Sequence, residues 1–102
     1  NMDPKDEFVN FLEEKPAYYK IIQSPLILQV LTFVSENAKP ISDIYSGFSF
    51  MEVKDLDEVL DVLDKLRLIQ KVKGTSKLIY YATEDAKILL EKYKKAKNYM
   101  VE

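Results

Sequence analysis

Between Ile41 and Thr83 the chain changes its hydrophobic period once, and that change limits what it can become. Val53, Leu56, Val59, Leu60, Leu63 and Leu66 follow the three-to-four spacing of one helix face. Lys54, Asp55, Asp57, Glu58 and Asp61 lie mostly on the other face. From Leu68 the pattern becomes that of strands: Leu68 to Lys73, a Gly74-Thr75-Ser76 turn, and a return strand from Lys77 to Thr83. Upstream, Ser42 is placed to cap a short helix through Asp43, Ile44 and Tyr45. Gly47 allows the sharp turn after it. Ser49 to Glu52 has capping-box spacing, the Ser reaching forward and the Glu reaching back. The order is therefore short helix, turn, longer helix, hairpin.

A three-residue hairpin loop pairs Lys73 with Lys77, Val72 with Leu78, Gln70 with Tyr80 and Leu68 with Ala82. That register turns the last three pairs inward and gathers Lys71, Lys73 and Lys77 outside. Like charges on facing strands repel mildly, so the cluster suits an anion. Tyr80 and Tyr81 are explained by strand propensity rather than by base stacking.

The flanks are helical. Asp3-Pro4 opens a first helix with Phe8, Val9, Phe11 and Leu12 on its apolar side, and Pro16 ends it. Tyr18, Tyr19, Ile21 and Ile22 are too apolar for a free tail and belong to one or two further turns. Ser24-Pro25 starts the next helix, whose stripe is Leu26, Ile27, Val30, Leu31 and Val34. Asn37, in the left-handed conformation, is expected to stop it before Pro40. Thr83 caps a last helix reaching about Met100, striped by Ala86, Leu89, Leu90, Tyr93, Ala96 and Met100. The division expected is one domain over 1–102: an N-terminal helical extension (1–22), a core (24–83) and a C-terminal helix (84–102).

Charge is polarised. Residues 1–64 hold 5 Lys against 13 Asp and Glu, and residues 65–102 hold 9 Lys and 1 Arg against 4, so −8 faces +6 within a total of −2. Such asymmetry points to a polyanion partner or to attraction between the two ends. With no Cys and no His, disulfides, thiol chemistry, the usual general base and most zinc sites are excluded. Two glycines supply no phosphate loop. The carboxylate pairs Asp55/Glu58 and Glu13/Glu14 read as surface charge, so no enzyme, catalytic residue, cofactor or metal is expected. No apolar run nears the roughly 18 residues of a membrane span, and no secretory signal is read. The location expected is cytoplasmic, compatible with the absence of Cys.

From Ile21 to Leu90 the chain resembles small prokaryotic winged-helix regulators of the ArsR or MarR kind. The resemblance is carried by Ser24-Pro25-Leu26, by Ile41-Ser42-Asp43-Ile44, by Leu60, Leu63 and Leu66-Arg67-Leu68-Ile69, and above all by Leu78 to Ala86. It implies a mainly α fold with a small antiparallel β-hairpin, a winged helix-turn-helix. It also implies a homodimer that binds operator DNA to regulate transcription, often under ligand control. The chain departs from the pattern at the helix that would enter the groove. Acids stand at Asp55, Asp57, Glu58 and Asp61, where relatives show Ser, Thr, Arg, Gln or His. The turn before it, Ser49 to Val53, is long, and Cys and His ligands of metal sensors are missing.

Phosphate supplies most DNA affinity, so five acids on this helix, those four and Asp64, against one Lys oppose groove entry. The expected contacts are then Lys71, Lys73 and Lys77 on the wing, with Lys54 on the helix. Surplus apolar residues Phe8, Phe11, Tyr18, Leu89, Leu90, Tyr93 and Met100 are the expected homodimer surface. The alternative function is a protein–protein interaction module, docking through Asp55, Asp57, Glu58 and Asp61.

Overall fold

The computed structural model describes residues 2–100. Helix α1 (Pro4–Glu14) opens where the Asp3 carboxylate accepts the Asp6 N–H at 2.9 Å. A single 3-10 turn (Pro16–Tyr18) runs into the short α2 (Tyr19–Ile22). Helix α3 (Pro25–Glu36) starts on Ser24, whose Oγ accepts from Ile27 N–H at 3.2 Å. Val30, Leu31 and Val34 line its buried side.

The end of α3 differs from expectation. Asn37 is extended (φ −167°, ψ 165°), because the chain enters a two-residue strand, β1 (Lys39–Pro40), without turning left-handed. The buried Lys39 replaces the expected cap. Its ammonium donates to the Phe33 carbonyl at 2.8 Å, to the Asn37 carbonyl at 3.2 Å and to Asn37 Oδ1 at 2.5 Å. It also lies 4.3 Å from the Phe33 ring centroid. These contacts satisfy carbonyls that a helix end leaves free.

Helix α4 (Ile41–Gly47) begins at Pro40 with no side-chain cap. Ser42 lies inside it, and its carbonyl accepts the Ser46 hydroxyl at 2.8 Å. Gly47 does not adopt positive φ. Its smallness serves a close approach: an added Cβ would sit 3.3 Å from Phe33 Cζ. The capping box is absent too. Helix α5 (Val53–Lys65) is preceded by Glu52, with no side-chain cap, because Ser49 belongs to a turn closed by Met51 N–H on the Phe48 carbonyl. Leu56, Leu60 and Leu63 are buried as expected, whereas Val53 at the first turn is 53% exposed.

Helix α5 closes on Arg67 at φ 60°. Leu68 N–H donates to the Leu63 carbonyl at 2.9 Å and Arg67 N–H to the Asp64 carbonyl at 3.0 Å. This is the paired pattern of a Schellman end, with Arg where Gly is usual. It leads into β2 (Ile69–Lys73) and β3 (Leu78–Ala82), and β1 pairs with the far side of β3, giving the order β1-β3-β2.

The hairpin register is one residue from the expected one. Ile69 faces Ala82, Gln70 faces Tyr81, Lys71 faces Tyr80, Val72 faces Ile79 and Lys73 faces Leu78. Residues 74–77 form the loop, closed by Gly74 N–H on the Lys77 carbonyl at 2.7 Å. That is one residue more than a three-residue loop, and one step exchanges the faces. Ile69, Tyr80 and Ala82 are buried, while Gln70 and Val72 point away from the core.

Thr83 caps α6 (Glu84–Met100) through Ala86 N–H at 3.3 Å, and its hydroxyl donates to the Arg67 carbonyl at 2.7 Å. Helix α6 runs antiparallel along α1. Lys92 Nζ meets Glu7 Oε1 at 2.9 Å, and the Phe8 and Tyr93 rings lie 5.9 Å apart. The Lys92 ammonium holds the Glu7 carboxyl below its ordinary range. Opposite charges of the two halves thus meet inside one chain. A single apolar core joins all the helices and the sheet.

Candidate nucleic-acid interface

The four lysines expected to meet DNA are exposed but not gathered on one surface. Lys71 and Lys73 alternate with Gln70 and Val72 along β2, so they share the face of buried Ile69 and Tyr80, toward α5. Lys71 borders a cleft with Asp57, Asp61 and Asp64. Lys73 stands two pairs farther out, opposite Leu78, and Lys77 occupies the loop. The outer face of the wing is apolar instead. Val72 is 48% and Tyr81 37% exposed, and the Tyr81 hydroxyl donates to Gln70 Oε1.

The acids of α5 divide over three sides. Opposite Leu56, Leu60 and Leu63 runs the outward stripe Lys54, Glu58, Asp61 and Lys65, spaced at three and four. It carries two cations and two anions, and Lys65 Nζ pairs with Asp61 Oδ2 at 3.0 Å. Asp57 and Asp64 turn toward the wing. Asp55 turns toward α3, where Leu26, Ile27, Val59 and Val62 wall a groove of about 630 Å³. The expected acidic face is therefore not a single surface, and the outward side of the helix is close to neutral.

Tyr45 on α4 donates its hydroxyl to Asp57 Oδ1 at 2.7 Å. That bond raises the Tyr45 pKa to about 12, with burial and the Asp57 charge adding to it. Tyr80, 6% exposed, reaches the same cleft. Burial first, then the charges of Asp57 and Asp64, push its phenol up. Sequence reading missed this arrangement because the one-residue register error placed Tyr80 opposite Gln70. A period-two count anchored on buried Ile69 would have found it.

Phe50 is another residue passed over. It is 74% exposed in the turn before α5, 6.0 Å from the Phe48 ring. It separates the α3–α5 groove from a second groove of about 640 Å³ beside Phe33 and Tyr93.

Of the expected dimer residues, Phe8, Tyr18 and Leu89 are core residues of one chain, and Phe11, Leu90 and Tyr93 pack against that core. Met100 is 59% exposed. Val9 on α1 and Ile88 and Tyr99 on α6 are the further apolar side chains these two helices leave exposed.

Two solved structures are similar to this chain over most of its length. Rv0081 of M. tuberculosis aligns with a TM-score of 0.77 over 89% of this chain and 92% of its own, at 20% identity. The transcriptional regulator YodB of B. subtilis, in its reduced form, aligns with a TM-score of 0.74 over 84% of this chain and 87% of its own, at 15% identity. No protein-family model matches the sequence, and no curated protein matches it. At these identities the likeness establishes the fold: the chain is a winged helix-turn-helix. No helix among the described residues is long and apolar enough to cross a membrane.

Proposed function

We propose that this winged helix is a cytoplasmic DNA-binding transcriptional regulator, acting as a homodimer and holding phosphate mainly through the wing tip. The observation that carries the reading is the near-neutral outward stripe of α5, which presents Lys54 and Lys65 beside Glu58 and Asp61. Such a helix can approach a groove without the repulsion of a wholly acidic face. Lys73 and Lys77 then supply backbone contacts that position the module and carry no sequence information themselves. A similar fold in a transcriptional regulator supports the assignment. The exposed Val9, Ile88, Tyr99 and Met100 on α1 and α6 support a dimer contact there.

The test is anisotropy of a labelled duplex against salt, after light scattering has fixed the mass. A dimer gives twice the 11.9 kDa of the chain. Lys73→Ala with Lys77→Ala removes four charges per dimer, which flattens the slope of log affinity against log salt by about 3.6 units if each meets a phosphate. Adding Lys71→Ala changes the slope little, because Lys71 faces the acids of α5. A parent protein that binds no duplex in low salt overturns the reading. The interaction-module reading then takes its place, favoured by Phe50 standing exposed between two grooves.

A further inference from the structure

We propose that the furrow along the α3-facing flank of α5 docks an amphipathic helix of a partner protein. That helix runs antiparallel to α5, with acids in its first turn and lysine or arginine in its last. The inference stands apart from the DNA-binding reading, because Lys73 and Lys77 line no part of the furrow.

Glu52, Asp55, Val59, Val62 and Leu66 border the furrow at spacings of three, four, three and four, which is one stripe along the helix. From Glu52 to Leu66 the stripe covers about 21 Å, or about four turns. Opposite it stand Leu26 and Ile27 at the start of α3, then Lys20 on α2. The furrow has a stretch of about 630 Å³ and another of about 290 Å³, and Val62 lines both. Leu26, Ile27, Val59 and Val62 are only half-buried, so solvent meets an apolar floor. Phe50 stands 74% exposed at one end. Apolar surface rimmed by charge in this way is the mark of an interaction site. Helices α3 and α5 present side-chain ridges and no open backbone edge, which a third helix fits and a strand does not.

Charge selects the occupant and its direction. Glu52, Asp55 and Glu58 line the end beside Phe50, and no cation lines it. Lys20 and Lys65 line the other end, and no acid lines that one. Lys65 shares its charge with Asp61 at 3.0 Å, whereas Glu52, Asp55, Glu58 and Lys20 have no ion pair among the described residues. The dipole of α5 accounts for an acid in its first turn and a lysine in its last. It does not account for Glu58, a turn farther on, or for Lys20, which belongs to α2. A helix laid antiparallel brings its last turn to the three carboxylates and its first turn to the two lysines. Its own dipole favours cations at its end and acids at its start. Furrow and dipole therefore choose the same direction, and a parallel helix would set cations against its own positive end.

The probe is a synthetic helix of about four turns, acetylated and amidated. It carries leucine at positions i, i+3, i+7 and i+11, glutamate in the first turn, as many lysines in the last, and alanine elsewhere. A counterpart of the same composition and net charge exchanges glutamate and lysine. Calorimetry and amide chemical shifts follow both with the whole chain at low salt. Saturable one-to-one binding of the first peptide is expected, with shifts centred on Leu26, Ile27, Val59 and Val62. The counterpart should bind roughly tenfold more weakly, the sum of several exposed ion pairs. Asp55→Lys with Glu58→Lys should weaken the first peptide by a similar factor and strengthen the counterpart. Phe50→Ser should weaken both. Asp43→Lys with Glu84→Lys, the same charge change at exposed acids outside the furrow, should alter neither.

Absence of saturable binding, equal binding of the two peptides by the parent, or an equal loss from the Asp43 and Glu84 pair overturns the site. Light scattering reads the other occupant. If Phe50→Ser halves the mass of the parent particle, a second copy fills the furrow and the partner helix is refuted. Because binding and its location are read on the parent, a variant that fails to fold does not protect the proposal. A chain that retards no duplex can still bind the peptide, and one that ignores the peptide can still bind a duplex, so the two readings fail separately.

Discussion

Replacing Arg67 by Gly should stabilise this protein, although it deletes the largest cationic side chain at the α5–wing junction. Arg67 holds φ 60° so that Leu68 and Arg67 N–H groups can close the helix on the Leu63 and Asp64 carbonyls. A residue with a Cβ pays roughly 1–2 kcal/mol for that conformation. Glycine removes the strain but loses roughly 0.5–1 kcal/mol through the greater freedom of its unfolded chain. The exposed Arg67 side chain makes no ion pair among the described residues, so nothing else is forfeited. The difference is a gain of about 0.5–1 kcal/mol. For a domain of this size that is a rise in Tm of roughly 2–8 °C. Arg67→Ala keeps the strained backbone and should change stability little. Thermal and urea unfolding followed by circular dichroism separate the three proteins. Arg67→Gly falling at or below Arg67→Ala would refute the strain account and assign the arginine side chain a stabilising contact.

Two further outcomes follow from side chains near the sheet and cleft. Lys39→Met should cost about 1–3 kcal/mol in urea unfolding, because the Phe33 and Asn37 carbonyls lose their donor while the aliphatic stem is retained; an unchanged midpoint would show that water replaces the ammonium without penalty. Tyr45, with its pKa at about 12, contributes stability that is complete below pH 10 and is lost as pH rises from 10 to 12. Asp57→Asn should return this phenol toward 10, seen as an earlier step in the ultraviolet titration of tyrosinate, and identical titration curves would contradict the Tyr45–Asp57 bond.

Local chemistry made the helices legible. Asp3-Pro4, Ser24-Pro25 and Thr83 each cap the helix expected of them, since a side-chain oxygen beside free N–H groups needs no distant partner. Ser42 and Ser49 carried the same chemistry and cap nothing. Their helices start where Pro40 enters the sheet and where the Phe48–Met51 turn ends, both tertiary decisions. Strand β1 was hidden for a related reason: two residues have no period, and Lys39–Pro40 is a strand only because β3 lies beside it. The candidate interface was legible in its residue types but not in its grouping. One residue in the loop decides whether Lys71 looks outward or at Asp57, and no composition or charge count contains that information.

The three-stranded order also bears on how copies of this chain avoid one another. With β3 in the centre, β1 covers one of its edges, and Pro40 there has no N–H to offer a newcomer. Strand β2 is left as the sheet's long open margin, and Lys71 and Lys73 sit on it. Margins of this kind invite strand-on-strand addition between molecules, which charged side chains oppose. The apolar outer face at Val72 and Tyr81 sharpens the hazard, since it would stack as the ribbons joined. The wing lysines thereby oppose strand addition at β2 whether or not DNA is present, and removing them should raise the tendency of copies to associate along that edge.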